Sequence, residues 1–222
     1  MEHEGKHEGH EVLLMNLASS CSLCPLCYLV HNSIMNFEKD IETCLEVLRS
    51  GGLILYPTDT IWGIGCDATN EKAVARIYKL KKRDDEKAMI VLVADERDIM
   101  QHVAAPDLSL FDHLEETTKP TTVVYDGALG FADNLIAQDG SIAIRICKEE
   151  FCRHLIKRFR KPIVSTSANI SGMTAPKIFK EITDEIKKGV DYIVKYKQDD
   201  ETPAQPSSLI KWNNGNITVL RN

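Results

Sequence analysis

Leu53-Ile54-Leu55-Tyr56-Pro57-Thr58-Asp59-Thr60-Ile61-Trp62-Gly63-Ile64-Gly65-Cys66-Asp67 is the stretch that decides the fold class. The apolar run Leu53 to Tyr56 reads as a buried strand, and Pro57, with no N–H to donate, ends its ladder. Thr58, Asp59 and Thr60 therefore stand on a loop at a strand end. Upstream, Phe37, Ile41, Cys44, Leu45 and Leu48 share one helical face, and Gly51-Gly52 stops that helix. Downstream, Asn70 caps a helix through Leu80 whose apolar side is Val74, Ile77 and Tyr78. Its other side and its end carry Arg76, Lys79, Lys81, Lys82 and Arg83.

The alternation of strand and helix continues outward. Met89 to Ala94 reads as a buried strand, Asp107 caps a short acidic helix, and Thr121 to Tyr125 and Ser141 to Ile146 are rich in β-branched residues. Phe151 to Phe159 has helical spacing, Pro162 to Ser165 reads as a strand, and Pro176 starts a helix expected to run to Gly189. Ser207 to Trp212 and Asn216 to Leu220 flank Asn213-Asn214-Gly215, a hairpin signal. These elements make an α/β domain on a twisted mixed sheet flanked by helices.

The 222 residues, 43% of them apolar, suffice to bury the core of one domain. A net charge of −6 argues against a surface built throughout for nucleic acid. Seven cysteines, an odd number with no signal peptide beside them, point to reduced thiols and a cytoplasmic setting. Residues 1–34 read differently from the rest: His3, His7 and His10 lie among acids, and Val12 to Val30 is interrupted by Asn16, serines and Pro25. This segment suits neither a signal peptide nor a membrane span. It is expected to be a poorly ordered or non-native extension, with Met35 as a candidate start and residues 35–222 as the domain. Cys21-x-x-Cys24-x-x-Cys27 could hold a metal, but a zinc site normally needs a fourth ligand and paired knuckles, so an unstructured or weakly packed extension is the expectation and no metal ligand is assigned.

Four polar clusters fall at strand ends: Thr58 to Thr60, Lys119 to Thr122, Ser165 to Ser171, and Pro206 to Ser208. Loops of α/β sheets are where ligands bind. Six cations between Arg76 and Lys87 fit an anion such as a triphosphate, or else a solvated helix face. P-loop, dinucleotide and hydrolase-elbow signatures are absent. Cys66 reads as a small buried thiol, and His102, His113 and His154 as surface or packing residues.

Tyr56 to Gly65, Lys79-Leu80-Lys81-Lys82-Arg83, Ser165-Thr166-Ser167-Ala168-Asn169-Ile170-Ser171-Gly172 and Pro206-Ser207-Ser208-Leu209-Ile210 together resemble the YrdC-like threonylcarbamoyl-AMP synthases, in order and spacing from Phe37 to Arg221. The resemblance implies a single-domain short form with a concave, positively charged cavity. It implies a nucleotidyltransferase that joins L-threonine, bicarbonate and ATP into threonylcarbamoyl-AMP, with Mg²⁺ accompanying ATP. The product would pass to the transferase proteins that make threonylcarbamoyladenosine in tRNA, with no membrane involved. Carried over by position, Thr60, Ser165 and Ser207 would contact threonine. Arg83, Lys87, Thr122, Ser167, Asn169 and Arg221 would hold ATP, with Lys81 and Asn169 lining the same cavity and Lys81 and Arg83 as the catalytic cations. Three positions depart from the pattern: Leu92 replaces a frequent histidine, Lys87 a frequent asparagine, and Ala175 a polar or basic residue. The alternative is an RNA-binding module, or weak RNA binding, on the basic concave surface. A domain acting on another carbamoyl-adenylate, as in hydrogenase-maturation proteins, is a third reading.

Overall fold

The computed structural model describes residues 25–83, 89–213 and 215–221, with side chains from residue 37 onward except at 213. The chain divides into two units, Met1–Glu38 and Lys39–Asn222. Helix α1 (Pro25–Arg49) begins twelve residues before the expected Phe37. Of the expected extension, residues 1–24, with Cys21 and Cys24, and the side chains of 25–34, with that of Cys27, lie outside what is described.

Within Lys39–Asn222, Ile41, Cys44, Leu45 and Leu48 of α1 are buried, as their spacing requires. The helix ends where Gly51 adopts φ +77°, with Gly51 N donating to Leu48 O and Gly52 N to Val47 O. The chain then enters β1 (Ile54–Tyr56), turns through the Thr58–Thr60 loop and returns as β2 (Gly63–Gly65). Helix α2 (Glu71–Lys81) is capped by the Asn70 side chain, which accepts from Ala73 N, and stops where Lys82 turns left-handed. β3 (Ile90–Val93), α3 (Glu96–His102), α4 (Ser109–Glu116), β4 (Thr121–Tyr125) and β5 (Ile142–Ile146) follow. Helix α5 (Glu150–Phe159) is capped by Glu149, whose carboxylate accepts from Cys152 N at 2.8 Å. Asp107 stands just before α4, where its carboxylate accepts from Ser109 N and Oγ and from Trp212 Nε1.

β6 (Ile163–Ser167) carries the serine-rich segment, and α6 (Asp184–Gly189), β7 (Tyr192–Ile193) and the hairpin β8 (Ser208–Asn213) and β9 (Asn216–Arg221) complete the domain. The sheet is mixed, as expected, in the order β7-β1-β2-β6-β3-β5-β4-β8-β9. β6 is its joint, pairing antiparallel with β2 on one side and β3 on the other. That pairing brings the ends of β2, β6, β5 and β8, and the polar loops beyond them, toward one region. Asn213 pairs with Asn216 in the expected hairpin, and Gly215 has φ +82°.

Two expectations need correction. The single helix from Pro176 to Gly189 is a 3-10 turn at Phe179–Glu181 followed by α6, with Ile182 and Thr183 extended between them. Four short elements were not foreseen: β2, α3, the 3-10 turn Asp133–Leu135 and β7. β2 has two glycines in three residues and forms because β1 and β6 flank it, not through propensity.

Candidate active site

A cavity of about 360 Å³ opens where the loops after β1 and β6 meet β5 and the start of β8. This is within the size range of small-molecule sites, roughly 300–1,000 Å³. Thr60, Ser165, Ser167 and Ser207 bring hydroxyls to its wall, and Arg83, Arg145 and Arg221 bring positive charge. No acidic side chain lies on that wall among the described residues. Gly63 is there for a local reason: a Cβ on it would sit 2.9 Å from Ser165 Oγ, so glycine leaves that hydroxyl its place.

The Thr60 side of the wall is built on a buried ion pair. Arg145 reaches from β5 to within 3.0 Å of the Asp59 carboxylate, and its Nη2 donates to Thr60 Oγ1 at 3.2 Å. The side chains of Arg145 and Asp59 are 3% and 8% exposed. The contact to Asp59 is close without being aligned as a hydrogen bond, so Arg145 Nε and Asp59 Oδ1 have no hydrogen-bond partner among the described residues. A buried guanidinium with donor capacity to spare, beside a threonine hydroxyl, suits a carboxylate. Thr60 is further fixed by Thr58, whose Oγ1 accepts from Thr60 N and lies 3.0 Å from Thr60 Oγ1.

Sequence reading missed Arg145. The signal was present: a lone arginine within the apolar strand Ile142-Ala143-Ile144-Arg145-Ile146, where a charge is costly without a purpose. Leu92 of β3, one of the three positions expected to depart from the family pattern, pairs in register with Arg145 of β5 and is fully buried. Ala175 lies on the cavity wall.

Six of the expected site residues meet at the cavity: Thr60, Arg83, Ser165, Ser167, Ser207 and Arg221. Three others stand behind it. Thr122 is fully buried on β4, with its Oγ1 2.8 Å from Ser207 Oγ. Lys81 and Asn169 were expected on the wall and are not part of it. The Lys81 ammonium donates to the carbonyls of Ser167 and Asn169, and the Lys81 carbonyl accepts from Ser171 N. Asn169 turns its amide to the carbonyls of Ile170 and Met173. Lys81 thus ties the end of α2 to the serine-rich loop. Lys87 lies outside the described residues.

The basic run that led toward the site is dispersed. Arg76 pairs with Asp191 and Lys82 with Glu185, while Lys81 is buried, so of these α2-end cations only Arg83 reaches the cavity. Burial pulls the Arg83 guanidinium below its ordinary value, as expected of a cation held away from water. Cys66 is buried and its thiol is pushed up by that burial, as expected of a packing residue. His102 contacts Leu129 O and the Phe131 ring, and His113 the Trp212 ring. No group of residues able to hold a metal occurs among the described residues.

Burial, and then the neighbouring Arg83 charge, push the Lys81 amine from its ordinary 10.5 down to about 7. Between those two values the unfolded chain binds the proton and the folded chain does not, so this group makes stability rise with pH through that window. Urea unfolding at pH 7 and pH 9.5 should show the wild type gaining stability relative to Lys81→Met. An equal change in both would refute the assignment.

Comparisons with known proteins bear on the family and the fold. The family model described as "Telomere recombination", covering Sua5, YciO and YrdC, matches residues 46–222. A threonylcarbamoyl-AMP synthase of Stenotrophomonas maltophilia strain K279a is 30% identical over 185 residues, 81% of this chain and 97% of that protein. One of Pseudoalteromonas translucida strain TAC 125 is 28% identical over 186 residues, 82% of this chain and 98% of that protein. Among solved structures, P. abyssi Sua5 complexed with L-threonine superposes with a TM-score of 0.73 at 22% identity, covering 83% of this chain and 54% of that one. E. coli YciO superposes with a TM-score of 0.71 at 22% identity, covering 82% of this chain and 88% of that one. At such identities the two structures speak to the fold.

Proposed function

This chain belongs to the Sua5, YciO and YrdC family, and from that premise we propose that it is a threonylcarbamoyl-AMP synthase, a nucleotidyltransferase that converts L-threonine, bicarbonate and ATP to threonylcarbamoyl-AMP and pyrophosphate. The observation that carries the reading is one cavity in which Thr60, Ser165 and Ser207 share a wall with Arg83, Arg145 and Arg221. Hydroxyls and a spare guanidinium suit an amino acid; the other arginines and Ser167 suit a polyphosphate.

The chemistry asks for positioning more than for a covalent catalyst. The threonine amine adds to bicarbonate with loss of water, and a carbamate oxygen then attacks the α-phosphorus as pyrophosphate leaves. Arg145 holds the amino acid by its carboxylate, with Thr60 and Ser207 beside it. Arg83 and Arg221 offset the charge that develops on the leaving pyrophosphate. Mg²⁺ enters bound to the ATP phosphates as part of the substrate, since the wall's donors are arginines and hydroxyls that take phosphate oxygens and not a cation. Lys81 acts by fixing the loop of Ser167 and Asn169. Residues 35–222 are the catalytic domain in this reading.

The labile product would pass to a tRNA threonylcarbamoyl transferase in the cytoplasm. No helix among the described residues is long and apolar enough to cross a membrane. The RNA-binding alternative loses support because Arg76, Lys81 and Lys82, in α2 and at its end, are spent on Asp191, loop carbonyls and Glu185 instead of joining Arg83 in one basic face.

Ligand-dependent stability separates the two readings. ATP with Mg²⁺, or threonine, at a hundredfold excess over its Kd should stabilise the fold by about 2.7 kcal/mol, and short RNA should leave it unchanged. Stabilisation by RNA alone would reverse the assignment.

A further inference from the structure

Ser207, at the entry to β8, is held from two directions. Arg221 Nη2 donates to its carbonyl at 3.2 Å, and its hydroxyl lies 2.8 Å from that of Thr122. Ser207 lines the cavity, whereas Thr122 lies behind it with no exposed surface.

Two hydroxyls at this distance share one hydrogen bond, and its direction follows from where each proton can go. A buried hydroxyl proton needs an acceptor. Among the described residues, the acceptor hydrogen-bonded to Thr122 Oγ1 is Ser207 Oγ. If Ser207 were the donor, the Thr122 proton would be shut in the interior unmatched. With Thr122 as donor, its proton is satisfied and the Ser207 proton is free to point into the cavity. The Ser207 hydroxyl then offers the cavity a donor, which suits an oxygen carrying negative charge.

We propose that Thr122 is a positioning residue for the amino-acid substrate: by donating to Ser207 it sets the Ser207 hydroxyl as a donor aimed at the substrate's carboxylate. The inference rests on the synthase reading and moves Thr122 from the nucleotide, where family resemblance had placed it, to the amino acid. Thr122 touches no substrate itself; its effect passes through Ser207.

The test is steady-state kinetics of threonine-dependent pyrophosphate release in the full chain, comparing wild type, Thr122→Val and Thr122→Ser. Valine keeps the shape and removes the hydroxyl. Thr122→Val is expected to raise the KM for threonine about tenfold while the KM for ATP and kcat stay within about threefold of wild type, the scale of one hydrogen bond to a charged group. Thr122→Ser should return the threonine KM to within about twofold. L-threoninamide, which lacks the carboxylate, should inhibit wild type and Thr122→Val equally. An unchanged threonine KM in an active Thr122→Val enzyme overturns the inference alone. So does a parallel fall in kcat, ATP affinity and melting temperature, the pattern of a purely structural residue. A wild type that releases no pyrophosphate in response to threonine overturns the synthase reading and this inference with it.

Discussion

Arg83→Ala is expected to lower threonine-dependent pyrophosphate release by about 100- to 1,000-fold, the scale seen when one preorganised donor to a developing negative charge is removed. Arg83 reaches the cavity from the end of α2, and it is the only cation of that basic run to do so among those described. Its half-buried side chain lies where α2 has already ended, so its loss should shift the melting temperature by only a few degrees. The kcat should fall more than the KM for ATP rises, because the guanidinium is needed most as pyrophosphate departs. Near-wild-type kcat in a folded Arg83→Ala protein would remove Arg83 from the reaction.

The second large effect concerns Arg145, which serves the fold and the site together. Arg145→Met leaves the Asp59 carboxylate buried without its counter-charge, at a cost of about 3–5 kcal/mol, or a fall in melting temperature of about 6–20 °C. It also removes the guanidinium beside Thr60, so threonine binding should weaken by at least about tenfold, as for loss of a charge-assisted bond. The double variant Asp59→Asn with Arg145→Met separates the two roles. Much of the stability should return, since no unpaired buried charge remains, while threonine binding should stay lost. If the double variant recovers both, Arg145 is structural only; calorimetry with threonine and thermal unfolding together decide.

These two arginines also show how far the sequence could be read. Arg83 sits in a motif whose spacing was visible, and so do Thr60, Ser165 and Ser207; the sheet order gathers these with Arg221 although they are up to 161 residues apart in the chain. Arg145 has no motif around it, only an apolar strand that it interrupts. Side-chain direction was the other gap. Lys81 and Asn169 belong to recognisable segments, yet which way each points depends on the docking of α2 against the loop after β6. Thr122 reads as one of a polar pair, and only the parallel pairing of β4 with β8 puts it behind Ser207.

The fold shows the same division. Strands with β-branched runs and helices with a full apolar stripe were legible, as was the hairpin at Gly215. β2 was not, because its glycines have no β-preference and it exists through β1 and β6. The break between Phe179–Glu181 and α6 was hidden by Ile178, Ile182 and Ile186, whose fourfold spacing imitates one continuous helix. The signal for the break was Thr183-Asp184-Glu185, a helix start placed inside that pattern.

Whether the chain is a synthase is decided by incubating it in full with Mg-ATP, L-threonine and isotope-labelled bicarbonate, following pyrophosphate and the fate of the label together. Pyrophosphate release is expected only when all three substrates are present, with the label in a product that contains both threonine and AMP. Pyrophosphate release that ignores threonine, or a protein that binds ATP and threonine yet never transfers the label, would contradict the synthase reading.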